Sequence, residues 1–221
     1  MMTDLKQVAK YLGYGSHVPE EKTMADMVSI ANALEKSVRA GWTYGNYILE
    51  QDETGPVILA DTAVELHGKS IKRTLKNCKE VYIMACTLGA KGDRLIELEK
   101  MMSTTQGMIA DACASVLVEA YADLCQKEIE AKLPEGSTLT FRYAPGYGDL
   151  PLATNKEILE LLKAEKRIGI HLTDSMLMTP RKSIVAILGV LENKEYKGKN
   201  HRCGNQSCDE CELSDGCPAR N

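Results

Sequence analysis

Apolar residues recur at helical spacing at Leu5, Val8, Tyr11 and Leu12, with Gly13 as a C-terminal stop. A second amphipathic helix is predicted from about Glu20 to Ala40, with Met24, Met27, Val28, Ala31, Leu34 and Val38 turned inward. The pattern then changes to strand at Trp42, Tyr44, Tyr47, Ile48 and Leu49, and again from Val57 to Ala60 beyond the Thr54-Gly55-Pro56 turn. Val81 to Cys86 is a nearly continuous apolar run, which suits a strand buried on both faces, and Thr87-Leu88-Gly89 makes a strand-to-helix corner.

Two helices should follow, from Asp93 to Met102 and from Gln106 to Lys132. The second is long and rich in Ala, with Ile109, Ala112, Cys113, Val116, Ala120 and Leu124 on one face. Thr138 to Tyr143 alternates like a strand, and Ala144 to Leu152 is a loop dense in Pro and Gly. A helix from Asn155 to Lys166 ends before Gly169, and Leu172 to Met178 and Ser183 to Leu191 read as the last strands. From Lys194 the chain turns polar. The expected architecture is one α+β domain, residues 1–195, with a cysteine-rich tail over 196–221.

Composition narrows the functional classes. The 221 residues are 44% hydrophobic and 26% charged, close to an ordinary globular chain rather than a disordered or collagenous one. A domain of this size buries roughly 70% of its unfolded surface, so it needs neither disulfide nor metal simply to fold. The net charge of −4 supplies no basic field for nucleic acid. No run of about 18 uncharged apolar residues predicts a membrane span. Asp4, Lys6 and Lys10 interrupt the segment where a secretory signal would carry its apolar stretch, so a reducing cytoplasm is expected. In that setting Cys78, Cys86, Cys113 and Cys125, spread through apolar segments, read as small buried hydrophobes.

Ala63-Val64-Glu65-Leu66-His67-Gly68-Lys69-Ser70 fits a relaxed P-loop pattern. Val, Glu and Leu resist the inward-pointing amides of a phosphate cradle, and Glu65 would repel a polyanion. The preferred reading makes Ala63 to His67 a helical turn ended by Gly68, with Ser70 capping a helix from Ile71 to Cys78. Gly13-Tyr14-Gly15 follows a helix and lacks the third Gly of a dinucleotide fingerprint. No nucleophile elbow and no zinc-protease helix occurs.

Arg142-Tyr143-Ala144-Pro145-Gly146-Tyr147-Gly148-Asp149-Leu150-Pro151-Leu152 places an Arg at a strand end before a rigid loop. Arg142 offers a fixed fork suited to a carboxylate, and the tyrosines offer flat faces. A structural turn with a surface Arg is the competing reading.

The run resembles the Arg-x-x-Pro-Gly-Tyr signature of the activation, S-adenosylmethionine-binding domain of cobalamin-dependent methionine synthase. Downstream, Gly169-Ile170-His171-Leu172-Thr173-Asp174-Ser175 and Met178-Thr179-Pro180-Arg181-Lys182-Ser183 resemble that family's Gly-x-x-Leu-Thr-x-Ser and Met-x-Pro-x-x-Ser segments. Met84-Ala85-Cys86-Thr87-Leu88-Gly89 is similar to short, stand-alone members. The resemblance runs from Leu5 to about Val190. The Trp-rich N-terminal motifs and acidic ligand contact of full-length members have no match in this chain.

The resemblance implies a curved domain around a twisted, largely antiparallel sheet with several long helices. It implies S-adenosylmethionine along the Arg142 loop, with Arg142 on its polar end, Ala144, Gly146 and Tyr147 shaping the pocket, and Tyr196 packing on the ligand. The domain would position that methyl donor over the cobalt of a corrinoid held by a partner methyltransferase, while a flavodoxin or ferredoxin supplies one electron. It would be a component of a methionine synthase system rather than a complete enzyme, with no catalytic acid or base of its own.

Cys203-x4-Cys208-x2-Cys211-x5-Cys217 supplies four thiols in a short Gly-bearing stretch, enough for a tetrahedral zinc or an iron–sulfur cluster. Reduced thiols on an exposed tail are the plain alternative. These cysteines also define a second functional hypothesis, a metal- or cluster-bearing electron-transfer module that docks on a corrinoid protein without S-adenosylmethionine. A self-contained methyltransferase is disfavoured, because no Gly-rich nucleotide loop accompanies the Arg142 segment.

Overall fold

The structure is a computed structural model that describes residues 1–52 and 54–192. Its elements in chain order are α1 (Leu5–Tyr11), α2 (Glu21–Ser37), β1 (Gly41–Gln51), β2 (Val57–Leu59), β3 (Glu65–Leu66), α3 (Lys69–Leu75) and β4 (Cys78–Thr87). Then come α4 (Ala90–Met102), α5 (Thr104–Glu130), β5 (Ser137–Leu139), α6 (Thr154–Leu161), α7 (Ala164–Ile168), β6 (His171–Leu172), β7 (Met178–Thr179) and β8 (Ser183–Glu192). The arrangement is α+β, as the alternation of patterns predicts. The chain forms two compact units.

The first unit takes Met1–Thr43, Met84–Lys127 and Leu162–Val185. Asp4 starts α1 by accepting a hydrogen bond from the Lys6 N–H at 2.9 Å. Helix α2 buries Met27, Ile30, Ala31 and Leu34. The face is rotated slightly from the predicted one: Ile30 is buried and Val28 is exposed. Helix α5 is buried on most of its circumference between Gly107 and Val118, so its small residues let neighbours approach closely. Beyond that point Ala120 is half-buried and Leu124 exposed, while Cys125 and Ile129 continue the inner face. At the α4–α5 corner, a Cβ on Gly107 would stand 2.9 Å from Lys100 Cα, which explains the glycine.

The predicted strand from Leu172 to Met178 is instead a tight hairpin, β6–β7. Thr173 N–H donates to the Leu177 carbonyl at 2.9 Å, and Thr173 Oγ1 accepts from the Leu177 N–H at 3.2 Å. Side-chain bonds of this kind offer the backbone a turn in place of a ladder.

The second unit takes Tyr44–Ile83, Glu128–Leu161 and the described chain from Ala186 onward. It holds all or part of six strands, which form a mostly antiparallel sheet in the order β3-β2-β1-β4-β8-β5. Strand β4 is buried without interruption from Val81 to Thr87, as its apolar run requires. The Ala63–His67 stretch is not a helical turn. Val64 and Leu66 are buried at the strand period, and β3 pairs with β2 through Val57 opposite Leu66 and Ile58 opposite Glu65.

The predicted 155–166 helix is two helices, α6 and α7, broken where Lys163 takes φ 51°. Leu162 and Ala164, 2% and 0% exposed, would fall on opposite sides of one continuous helix, and the break lets both be buried. Among the described residues no helix is long and apolar enough to cross a membrane.

Candidate functional site

The Arg142 loop lies in the second unit and leaves the sheet in a defined way. Thr140 N–H donates to the Gly189 carbonyl on β8 at 2.8 Å, and Thr140 Oγ1 accepts from the Gly189 N–H at 2.9 Å. Tyr143 then bridges Ile187 with both backbone hydrogen bonds, at 3.0 and 2.7 Å. Arg142 is thus held between two sheet-anchored residues. Past Tyr143 the loop closes on itself: Tyr147 N–H donates to Ala144 (3.1 Å), Gly146 N–H to Leu150 (2.9 Å) and Leu150 N–H to Tyr147 (3.2 Å).

Burial alternates from Arg142 to Gly146, and residues 146–149 are all exposed. Tyr143, Pro145 and Leu150 are buried, whereas Arg142 and Ala144 are half-buried and Gly146 and Tyr147 are exposed. The four loop residues predicted to shape a ligand site are therefore half-buried or exposed, with the exposed Gly148 and Asp149 beside them and Arg142 Nη1 turned inward. Tyr143 braces them from beneath. Its Oη donates to the Tyr147 carbonyl at 3.1 Å, and the two rings meet edge to face at 5.4 Å. Burial is the main cause that raises the Tyr143 pKa, so the phenol keeps the proton this bond needs. A side chain on Gly148 (φ 56°) would have to displace the Tyr143 phenol, since a Cβ would come within 2.7 Å of Tyr143 Oη.

The structure also explains the P-loop-like Gly68-Lys69-Ser70. Gly68, not Ser70, is the N-cap of α3, and it contributes no side chain. The capping group comes from the loop: Asp149 accepts from the Lys69 N–H through Oδ2 (2.6 Å) and from the Ser70 N–H through Oδ1 (3.0 Å). The place where a phosphate would sit is taken by the protein's own carboxylate. Burial pushes the Asp149 pKa up, but the Ser70 and Lys69 bonds outweigh it and the net shift is downward. Sequence reasoning missed this contact because Asp149 and its partners are about 80 residues apart.

The other resembling motifs lie in the first unit. There Leu88 N–H donates to the Lys182 carbonyl at 3.0 Å, and Ser183 Oγ pairs with Thr87 Oγ1 at 2.8 Å and donates to the Pro180 carbonyl at 2.6 Å. The Thr179–Pro180 bond is cis. Arg181 N–H donates to Asp93 Oδ2 (2.8 Å) and its guanidinium to Glu97 (2.6 Å), which holds the Glu97 carboxyl below its usual range. Lys182 Nζ reaches Asp111 at 3.0 Å and Ser115 at 2.8 Å. The segment Met84–Gly89 and the segment Met178–Ser183 are thus bound to each other and to α4 and α5. In the sequence only the motif residues were visible; Asp93, Glu97, Asp111 and Ser115 carried no signal beyond their helical spacing.

Tyr196 and the metal candidates Cys203, Cys208, Cys211 and Cys217 lie outside the described residues, as does the predicted boundary at 195/196. Among the described residues no group of three or more His, Cys, Asp or Glu is placed to hold a metal ion. Cys78, Cys86, Cys113 and Cys125 are all buried.

A family model described as vitamin B12 dependent methionine synthase, activation domain, matches residues 71–210. The fold is similar to a crystal structure of the MetH reactivation domain bound to AdoHcy, with a TM-score of 0.61 and 16% identity over 88% of this chain and 78% of that one. No curated protein matches the chain.

Proposed function

Because this chain belongs to the family of vitamin B12-dependent methionine synthase activation domains, we propose that it supports the reductive reactivation of a cobalamin-dependent methyltransferase by presenting S-adenosylmethionine to the corrinoid. The observation that carries the reading is the open side of the Arg142–Tyr147 loop, where Gly146 and Tyr147 are exposed and Arg142 and Ala144 half-buried over the buried Tyr143, Pro145 and Leu150. Its donor set suits that ligand. The Arg142 fork matches the amino-acid carboxylate, the Tyr147 ring, 46% exposed, offers a π face to the sulfonium or purine, and Asp149 is already engaged at α3.

The sulfonium supplies an electrophilic methyl. One electron from a flavodoxin- or ferredoxin-like reductant brings the inactive cob(II)alamin to the nucleophilic cob(I) state. The cobalt–carbon bond then forms as the sulfur–methyl bond breaks, and S-adenosylhomocysteine leaves. This chain's residues contribute binding and orientation: Arg142 fixes the polar end, and Ala144 and Gly146 leave room beside it. Tyr147 and Tyr196 pack on the ligand. The corrinoid belongs to the partner protein. We assign the tail cysteines Cys203, Cys208, Cys211 and Cys217 a zinc ion or an iron–sulfur cluster.

The test is calorimetric titration of the full chain with S-adenosylmethionine, alongside return of activity to oxidised methionine synthase in the presence of a reductant. Saturable binding that Arg142→Ala weakens by about tenfold or more, roughly 1.4 kcal/mol, is the expected result. Absence of binding and of reactivation with every reductant tried would overturn the proposal.

A further inference from the structure

Asp149 takes no part in ligand contact as read above, yet it ties the candidate loop to a separate element. The loop's own hydrogen bonds, Gly146 to Leu150, Tyr147 to Ala144 and Leu150 to Tyr147, all close within seven residues. They fix its internal shape. They do not fix the direction in which it is held away from the sheet beyond Tyr143.

Tyr143 Oη holds the Tyr147 carbonyl from the strand side at 3.1 Å, and the restraint to a separate element comes from Asp149, whose carboxylate spans two amides at the start of α3, Lys69 at 2.6 Å and Ser70 at 3.0 Å. The fit around it is close. A Cβ on Gly68 would lie 2.7 Å from Asp149 Oδ1, and a Cβ on Gly148 would lie 2.7 Å from Tyr143 Oη and 3.4 Å from Ser70 Oγ. Gly68 is what allows the carboxylate to reach the helix, and Gly148 leaves room for the Tyr143 phenol beside it. Both partners gain, because α3 has no side-chain cap of its own and its first N–H groups would otherwise be left to water.

We propose that Asp149 is a positioning residue that clamps the Arg142–Tyr147 loop to the start of α3 and so sets the orientation in which Gly146 and Tyr147 meet the methyl donor. The inference rests on the reading of this loop as the S-adenosylmethionine site. Preorganisation of this kind raises affinity by ordering the loop before the ligand arrives. Loss of the carboxylate should therefore weaken binding by more than the general loss of stability explains.

The experiment uses the full chain as wild type, Asp149→Ala, Asp149→Asn and, as control, Asp4→Ala, which removes a comparable helix cap from α1. Amide hydrogen exchange of ligand-free protein and calorimetry with S-adenosylmethionine are recorded on each. Asp149→Ala is expected to speed exchange at Lys69, Ser70, Gly146, Tyr147 and Leu150 while the β4 amides keep their rates. It should also raise the S-adenosylmethionine Kd by about tenfold. Asp149→Asn, which keeps one acceptor oxygen, should recover part of both effects, and Asp4→Ala should leave the Kd within about twofold of wild type.

Unchanged exchange at Gly146 and Tyr147 in Asp149→Ala overturns the clamp. Equal weakening by Asp149→Ala and Asp4→Ala reduces it to ordinary stability and also overturns the positioning role. If the wild type binds no S-adenosylmethionine, the functional reading falls and the ligand-positioning role falls with it; the exchange data then decide whether the clamp itself exists.

Discussion

Ser183 Oγ lies 2.8 Å from Thr87 Oγ1, and the two residues are 9% and 1% exposed. Ser183 heads β8 and Thr87 ends β4, so this pair joins two segments almost 100 residues apart. Truncating one member leaves the other's polar group buried. Thr87 retains a 3.1 Å bond from Gly89 N–H, which limits the damage. Ser183→Ala should cost about 1–2 kcal/mol of unfolding free energy, read from the urea midpoint. The double variant with Thr87→Val should cost less than the two single changes together, because neither hydroxyl is then left without the other.

Glu35 on α2 holds the start of the chain. It accepts from the Met2 N–H at 2.8 Å, the Thr3 N–H at 2.7 Å and Thr3 Oγ1 at 2.8 Å. Burial, the largest influence, raises its pKa, but the hydrogen bonds from Thr3 and Met2 together outweigh it and the pKa ends below the usual carboxylate value. A carboxyl with a depressed folded-state pKa adds stability above its unfolded value, and that stability is lost as pH falls through the folded value. Urea midpoints of the wild type should therefore fall between pH 6 and acid pH by more than those of Glu35→Gln. Equal pH dependence in the two proteins would show that the bonds to Met2 and Thr3 contribute nothing through ionisation.

What the sequence made legible was set by local pattern. The run from Val81 to Cys86 is apolar on both faces, and β4 is buried on both. The Arg142 to Leu152 loop was visible because Pro fixes φ and Gly admits positive φ where strands and helices do not, and its candidate site residues came from the resemblance of Arg142–Tyr147 to a family motif, not from periodicity. The failures were of two kinds. In Ala63–His67 and Leu172–Met178 the pattern was short, and hydroxyl groups at Thr62 and Thr173 turned the backbone into hairpins. At α3, Ser70 looked like a cap by local rule, but Asp149 supplied the bond from the far side of the chain. A tertiary partner of that kind has no sequence period. The exposed Val28 and buried Ile30 on α2 reflect a rotation of less than one residue's width on the helix, finer than periodicity resolves.

Gly148 and Gly136 form a natural comparison. Both have positive φ, 56° and 87°, but a Cβ at Gly136 meets nothing within 4 Å, whereas one at Gly148 meets Tyr143 Oη at 2.7 Å. Gly136→Ala should show only the backbone cost of about 1–2 kcal/mol. Gly148→Ala adds a displaced phenol, and with it the brace to the Tyr147 carbonyl. It should weaken S-adenosylmethionine binding where Gly136→Ala does not. Calorimetry on the two variants decides, and equal affinity would remove Tyr143 from any part in shaping the site.

The cysteines give a test for the tail that does not depend on activity. Burial pushes the Cys78 thiol up to about 11 and the Cys113 thiol up to about 12. Cys86 and Cys125 are 0% exposed. Thiolate is the reactive form, so these four should resist iodoacetamide at pH 8 while the protein stays folded. The chain has eight cysteines, and the other four are Cys203, Cys208, Cys211 and Cys217. Ligated thiolates are shielded from alkylation, so the folded protein purified without air should take up no label. A chelator strong enough to strip the metal should then expose four thiols, and denaturant all eight. Four fast-reacting thiols before any chelator would mean that the tail holds neither zinc nor cluster, and the electron would then have to reach the corrinoid from the reductant protein alone.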